Sequence, residues 1–308
     1  MKTTMEGTDQ LIHSYKAGEI SRREFFQRLA FLLGSVALAY QFMIEEGFAS
    51  EWEIYSWPDP QGLTPQQSIE AGEKRLPASV KAEWVKYPSE EFEIISYVAR
   101  PATGTTFPAI IVIHENRGLT EFVIDIAQRW ATEGLVAIAV DFLSRVGGTG
   151  KFETMDAARR GIGQLTRPGV VADLHATMKY LKSRGDVRHD KIGVSGFCWG
   201  GGHSFNFAVE SREVAFAMPF YGSPPAVDRV DAIGCPIYGV FAESDARINQ
   251  NLDPVAARMK ELGKNFSYKI YPGTQHAFMN FTNEGRYNAE QAKIAWADVV
   301  AFVKQQIG

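Results

Sequence analysis

Six consecutive residues, Gly196-Phe197-Cys198-Trp199-Gly200-Gly201, restrict the fold of this chain more than any others. They follow the apolar run Ile192-Gly193-Val194 and precede a segment with helical spacing of apolar residues, so they must turn a strand into a helix abruptly. Backbones approach one another in such a corner where a β-carbon would collide, which is a physical reason for glycine at 196 and 200. The apex residue, Cys198, then stands at a helix N-terminus. The partial positive charge there favours a thiolate over a thiol, whose ordinary pKa of about 8.5 leaves little of it ionised at neutral pH.

The surrounding pattern extends this corner into a layered architecture. From Glu91 onward, short apolar runs at 92–99, 109–114, 135–140, 191–195, 215–220, 236–242 and 267–271 alternate with amphipathic stretches at 121–133, 170–183, 201–209, 252–262 and 288–306. Strand and helix in alternation predict an α/β fold, a doubly wound and mostly parallel sheet whose ligand site lies beyond the carboxyl ends of its strands. With 308 residues, 45% of them hydrophobic, the chain can bury a substantial core. Residues 91–308 are assigned to this domain. Residues 51–90, with Pro58, Pro60, Pro65, Pro77 and Pro88, read as an irregular connector.

Residues 1–50 support two readings. Ser21-Arg22-Arg23-Glu24-Phe25-Phe26 resembles a twin-arginine export motif, followed by an uncharged stretch at 29–44 and a cleavable Ala37-Leu38-Ala39, which would place the protein in the periplasm. Alternatively, Ser21 and Glu24 form a capping box opening the second helix of a packed N-terminal helical arm, and the protein is cytoplasmic. The 16 uncharged residues fall short of the roughly 20 needed to span a bilayer, so no stable membrane span is expected.

A nucleophile in the corner calls for an acid and a base at the ends of later strands, in that order. Asp245 ends the run Pro236-Ile237-Tyr238-Gly239-Val240-Phe241-Ala242-Glu243-Ser244, and His276 follows Tyr271-Pro272-Gly273-Thr274-Gln275. A loop histidine by itself carries little information; the nucleophile, acid and base at successive strand ends make the set specific. The histidine would take the thiol proton and later activate water, with the aspartate fixing its tautomer.

Together with His114-Glu115-Asn116-Arg117-Gly118, Pro219-Phe220-Tyr221-Gly222 and the segment through Ala277-Phe278, these motifs resemble the dienelactone hydrolase family of α/β-hydrolases over roughly residues 90 to 307. The resemblance implies a cysteine-dependent hydrolase of the carboxymethylenebutenolidase type, acting on a small anionic ester or lactone through an acyl-enzyme. It implies that Glu115 contacts the resting thiol and helps generate the thiolate. It also implies an oxyanion hole built from the backbone N–H groups of Asn116 and Trp199. Of the two arginines that hold the substrate carboxylate in the family, Arg145 aligns with one. Asn280 stands where the other would fall, with Arg286 a candidate substitute.

Other classes are disfavoured. A formal charge of -4 with scattered Lys and Arg argues against a nucleic-acid partner. Neither a metal-ligand spacing nor a nucleotide fingerprint occurs, so no metal and no cofactor are expected. A non-catalytic binding protein on this scaffold would lack part of the triad. A thiol redox protein would need Cys198 and Cys235 within disulfide reach, yet Cys235 should begin the strand leading to Asp245. A homo-oligomer is left open.

Overall fold

The structure, a computed structural model, describes residues 2–20, 22–33, 42 and 63–308. In chain order, α1 (Lys2–Lys16) and α2 (Arg22–Leu33) are followed by α3 (Pro65–Glu73), β1 (Val80–Ser89), β2 (Phe92–Pro101) and β3 (Phe107–Ile113). Then come α4 (Glu121–Thr132), β4 (Val136–Asp141), α5 (Met155–Ile162), α6 (Arg167–Ser183), β5 (Val187–Phe197), α7 (Trp199–Glu210) and β6 (Ala217–Phe220). The chain closes with β7 (Ile237–Ser244), α8 (Ala246–Asn249), α9 (Leu252–Glu261), β8 (Phe266–Gln275) and α10 (Ala289–Ile307).

All eight strands join one sheet in the order β1-β2-β4-β3-β5-β6-β7-β8. The pairs β1/β2 and β2/β4 are antiparallel, and every pair from β4/β3 to β7/β8 is parallel. Strand side chains alternate between two apolar layers. Ile110 and Val112 of β3 face Phe122, Ile126 and Trp130 of α4, in the same layer as Val299 and Phe302 of α10. Ile111 and Ile113 face the opposite way, into the layer built by Leu174 and Met178 of α6, Phe205 of α7 and Met259 of α9. Helices on both faces bury the inner parallel strands β3, β4 and β6 almost completely, which is why they read as continuous apolar runs. This is the expected doubly wound, mostly parallel α/β sheet, of α/β-hydrolase type, with helix at the N-terminus.

The sheet starts earlier than the sequence suggests. Val80–Ser89, which falls in the stretch read as connector, pairs along its whole length with β2 and forms the edge of the sheet. Only Val80, Tyr87 and Ser89 of it are buried, and it carries Pro88, whose missing N–H an edge strand accommodates readily. Ahead of it, α3 is opened by a capping box between Thr64 and Gln67 and a first-turn Pro65, and it packs against α4, with the Glu121 N–H donating to Ser68 Oγ at 3.0 Å. In the N-terminal segment α1 and α2 pack together, the Tyr15 and Phe25 rings stacking at 4.6 Å. Ser21 and the candidate cleavage site at 37–39 lie outside the described residues. Among the described residues no helix is long and apolar enough to cross a membrane.

The turn after β5 is as tight as its glycines require. A β-carbon on Gly196 would stand 2.0 Å from the Gly200 carbonyl oxygen, and one on Gly200 would stand 2.5 Å from the carbonyl oxygens of both Ile113 and His114. Cys198, between them, adopts φ 56° and ψ -113°, a conformation that L-residues rarely enter. Only backbone lies in the way at 200, so nothing there can yield cheaply. Gly202, two residues on in the same helix, has its nearest neighbour, the Ser223 carbonyl oxygen, at an ordinary 3.5 Å. Thermal unfolding should therefore separate the two positions. Gly200→Ala is expected to destabilise by about 2–3 kcal/mol through overpacking, whereas Gly202→Ala should be neutral or stabilising by up to about 1 kcal/mol, as alanine is in a helix. Equal melting temperatures for the two variants would contradict this account of the corner.

Candidate active site

Because β3 to β8 run parallel, the residues following each strand gather along one edge. Cys198 ends β5, Asp245 follows β7 and His276 follows β8. His276 and Asp245 are both buried, and the His276 Nδ1 donates to Asp245 Oδ2 at 2.5 Å. That contact commits Nδ1, and the ring lines the same cavity as Cys198. Burial alone would lower the imidazole pKa, but the charge of the Cys198 thiolate and the hydrogen bonds to Asp245 and Cys198 overcome it and push the ring up to about 9. Cys198 itself is partly exposed.

Glu115, just past β3, completes the inner ring. Its two carboxylate oxygens are held separately, Oε1 by the Tyr221 hydroxyl at 3.3 Å and Oε2 by the Asn280 Nδ2 at 2.6 Å. Burial raises the Glu115 pKa, against the lowering effect of Asn280, His276, Arg117 and Tyr221. Tyr221 is buried too, at the left-handed φ of 38°, with its ring 5.0 Å from that of His276. Burial first, and then the neighbouring Glu115 and Cys198 charges, hold its hydroxyl far above the usual phenol range, so it acts as a hydrogen-bond donor. Neither tether was foreseen from the sequence. Tyr221 lies in a motif singled out there, and Asn280 occupies the position of an expected arginine, but only the fold shows that both close on Glu115.

A cavity of about 310 Å³ opens beside these groups, lined by Cys198, His276, Tyr221 and Asn116 and also by Arg167 and Arg247. Trp199, which follows Cys198 at the start of α7, lines it as well. Arg145 is not among the lining residues. Its guanidinium grips the buried carboxylate of Asp173 in α6 through Nε at 3.0 Å and Nη2 at 2.7 Å, while Nη2 also reaches Glu90 at 2.9 Å. The expectation that Arg145 stands at the pocket mouth is therefore corrected: the bidentate bond to Asp173 consumes the fork a substrate would need. Arg286 is buried and likewise outside the lining. The arginines at the cavity are others. Arg167 is shared with Glu210 at 3.0 Å and Asn206 at 2.8 Å, and the exposed Arg247 follows Asp245 by two residues. Cys235 precedes β7, at the edge of the sheet opposite Cys198, and burial pushes its thiol up to about 12. Among the described residues no cluster of three or more His, Cys, Asp or Glu is arranged to hold a metal ion.

Comparison with known proteins agrees with this layout. The dienelactone hydrolase family pattern matches residues 94–307. The chain is 32% identical to Protein usf of Aquifex pyrophilus over 72% of its own length and 98% of that protein. It is 28% identical to a provisionally named carboxymethylenebutenolidase of Methylorubrum extorquens, over 72% of this chain and 80% of the relative. Among solved structures, a provisionally named dienelactone hydrolase of Klebsiella pneumoniae superposes with a TM-score of 0.67 at 24% identity, covering 73% of this chain and 99% of that one. A dienelactone hydrolase-like promiscuous phosphotriesterase from metagenomic libraries superposes with a TM-score of 0.65 at 18% identity, covering 75% and 100%. At those identities the two structures speak for the fold.

The state of His276 can be read directly by NMR of the imidazole nitrogens. The wild-type ring should titrate near 9, and Cys198→Ala should lower that pKa, because the substitution removes the strongest raising influence and leaves burial to dominate. An unchanged pKa in the variant would mean that the sulfur and the ring do not interact.

Proposed function

Because the chain belongs to the dienelactone hydrolase family, we propose that it is a cysteine-dependent hydrolase of small, anionic esters or lactones. The observation that carries this reading is a buried histidine bonded to Asp245 at 2.5 Å and lining the same cavity as Cys198. The Cys198 thiolate attacks the substrate carbonyl carbon, and the electron pair of the C=O moves onto oxygen, where the N–H groups of Asn116 and Trp199 stabilise it. On collapse the ester C–O bond breaks, and the leaving alkoxide takes the proton from His276 Nε2. Water then attacks the thioester as the now neutral His276 accepts its proton, the C–S bond breaks, and the acid product leaves with the thiolate restored. Asp245 holds the ring in the tautomer both steps need. Glu115, fixed by Tyr221 and Asn280, adds negative charge near the imidazolium and helps preserve the ion pair.

A binding protein without catalysis gains no support from a site in which nucleophile, base and acid are all present and connected. The redox reading is disfavoured because Cys198 and Cys235 belong to opposite edges of the sheet. The anionic substrate class rests on Arg167 and Arg247 in the cavity lining, which take the place foreseen for Arg145.

Hydrolysis of paired aryl esters, with and without a carboxylate, tests both parts. Cys198→Ala should abolish turnover of every ester, and retained turnover would refute the cysteine mechanism. Arg247→Ala should raise KM for the carboxylate-bearing ester by about 5- to 10-fold, the scale of one charge-assisted hydrogen bond at an exposed site, and spare the neutral one. Arg145→Ala should leave that ratio alone and instead cost about 3 kcal/mol of stability, since it strands the buried Asp173 carboxylate. Equal effects of Arg247→Ala on both esters would remove the anionic part of the reading.

A further inference from the structure

We propose that His114 is a positioning residue for the oxyanion hole, a neutral histidine of fixed tautomer that sets the plane of the Glu115–Asn116 peptide. The inference rests on the hydrolase reading above and adds to it a residue outside the triad.

His114 is the first residue past β3 and is fully buried. The backbone N–H of Phe142 donates to its Nε2 at 3.2 Å, so that nitrogen must carry a lone pair. The ring proton therefore resides on Nδ1, which donates to the Glu115 carbonyl oxygen at 2.7 Å. No peptide bond among the described residues is cis. In a trans peptide the C=O and N–H point in opposite directions, so anchoring the Glu115 carbonyl on His114 turns the Asn116 N–H away from that ring. Asn116 lines the cavity that contains Cys198 and His276. The same ring stacks on the Trp199 indole, with centroids 5.3 Å apart and planes 15° from parallel. His114 thus holds the carbonyl of the peptide that carries the Asn116 N–H by a hydrogen bond, and touches Trp199, which carries the other N–H, by ring contact.

Two further features make the arrangement stiff. Burial, opposed only partly by backbone hydrogen bonds, holds the His114 pKa down at about 4, so the ring stays neutral wherever the triad works. The far end of the loop is tied independently: the Leu119 N–H donates to Thr149 Oγ1 at 3.0 Å, and that hydroxyl donates to Asp141 Oδ1 at 2.7 Å. The peptide plane between these ties is held at its carbonyl by His114.

The two ring nitrogens can be replaced separately. Asparagine can place its amide nitrogen where Nδ1 stands and keep the donor to Glu115, whereas glutamine keeps only the acceptor for Phe142; both lose the stack on Trp199. His114→Gln should lower kcat by about 10- to 100-fold with KM within about threefold of wild type, short of the full loss of an oxyanion donor. His114→Asn should recover most of that kcat. Binding of an aryl trifluoromethyl ketone, which forms a charged adduct with the cysteine, should weaken in parallel with kcat. Equal kcat for the two variants, or a rise in KM with kcat unchanged, would overturn the inference. Should either variant fail to fold, nitrogen NMR of the wild-type ring decides: a neutral His114 carrying its proton on Nδ1 upholds the proposal, and a proton on Nε2 sinks it. If Cys198→Ala is inactive while His114→Gln behaves as wild type, only this inference fails. If Cys198→Ala retains turnover, the hydrolase reading falls first.

Discussion

With the Gly196 backbone against the Gly200 carbonyl, and Gly200 seated on the last carbonyls of β3, the first turn of α7 cannot shift without unseating two strands. That contact holds Cys198 in a backbone conformation costing on the order of 1–3 kcal/mol for a residue with a β-carbon. Tertiary structure supplies the restraint. The Cys198 N–H donates to the Phe220 carbonyl at 3.0 Å, and Phe205 of the same helix is buried in the core below. The position of Cys198 is therefore a property of the packed sheet, and the groups around it inherit their positions from neighbouring strand ends.

Two carboxylates serve this one edge in different ways. Asp245 meets the imidazole at hydrogen-bond distance and favours its charged form. Glu115 is held by neutral partners, a phenol and an amide, and influences His276 through its field. Neutral partners suit a buried carboxylate whose charge is to act on something else, because they satisfy its oxygens without cancelling it. An arginine at 280 would have cancelled it; the asparagine found there does not.

How far the sequence disclosed this depends on what each element buries. The inner strands β3, β4 and β6 were legible because they are apolar on both faces, and the corner at Cys198 because only glycine fits at 196 and 200. The edge strand β1 was hidden by its charges and by Pro88, and α3 by the prolines around it. The triad residues lie at strand ends, where order along the chain maps onto order in space. Arg145 shows the limit of that mapping. Its partner Asp173 comes from a helix 28 residues away, and nothing in the local sequence announces that the guanidinium is already occupied.

The placement of the base on the last strand has a consequence for how the protein is made. Synthesis runs from the N-terminus, so Cys198 leaves the ribosome before Asp245, and Asp245 before His276. The imidazole of His276 joins it only when β8 has paired along β7. A nascent chain stalled before that point holds Cys198 with no imidazole beside it. The order of strands thus leaves the assembly of this edge to a chain that has all but finished folding.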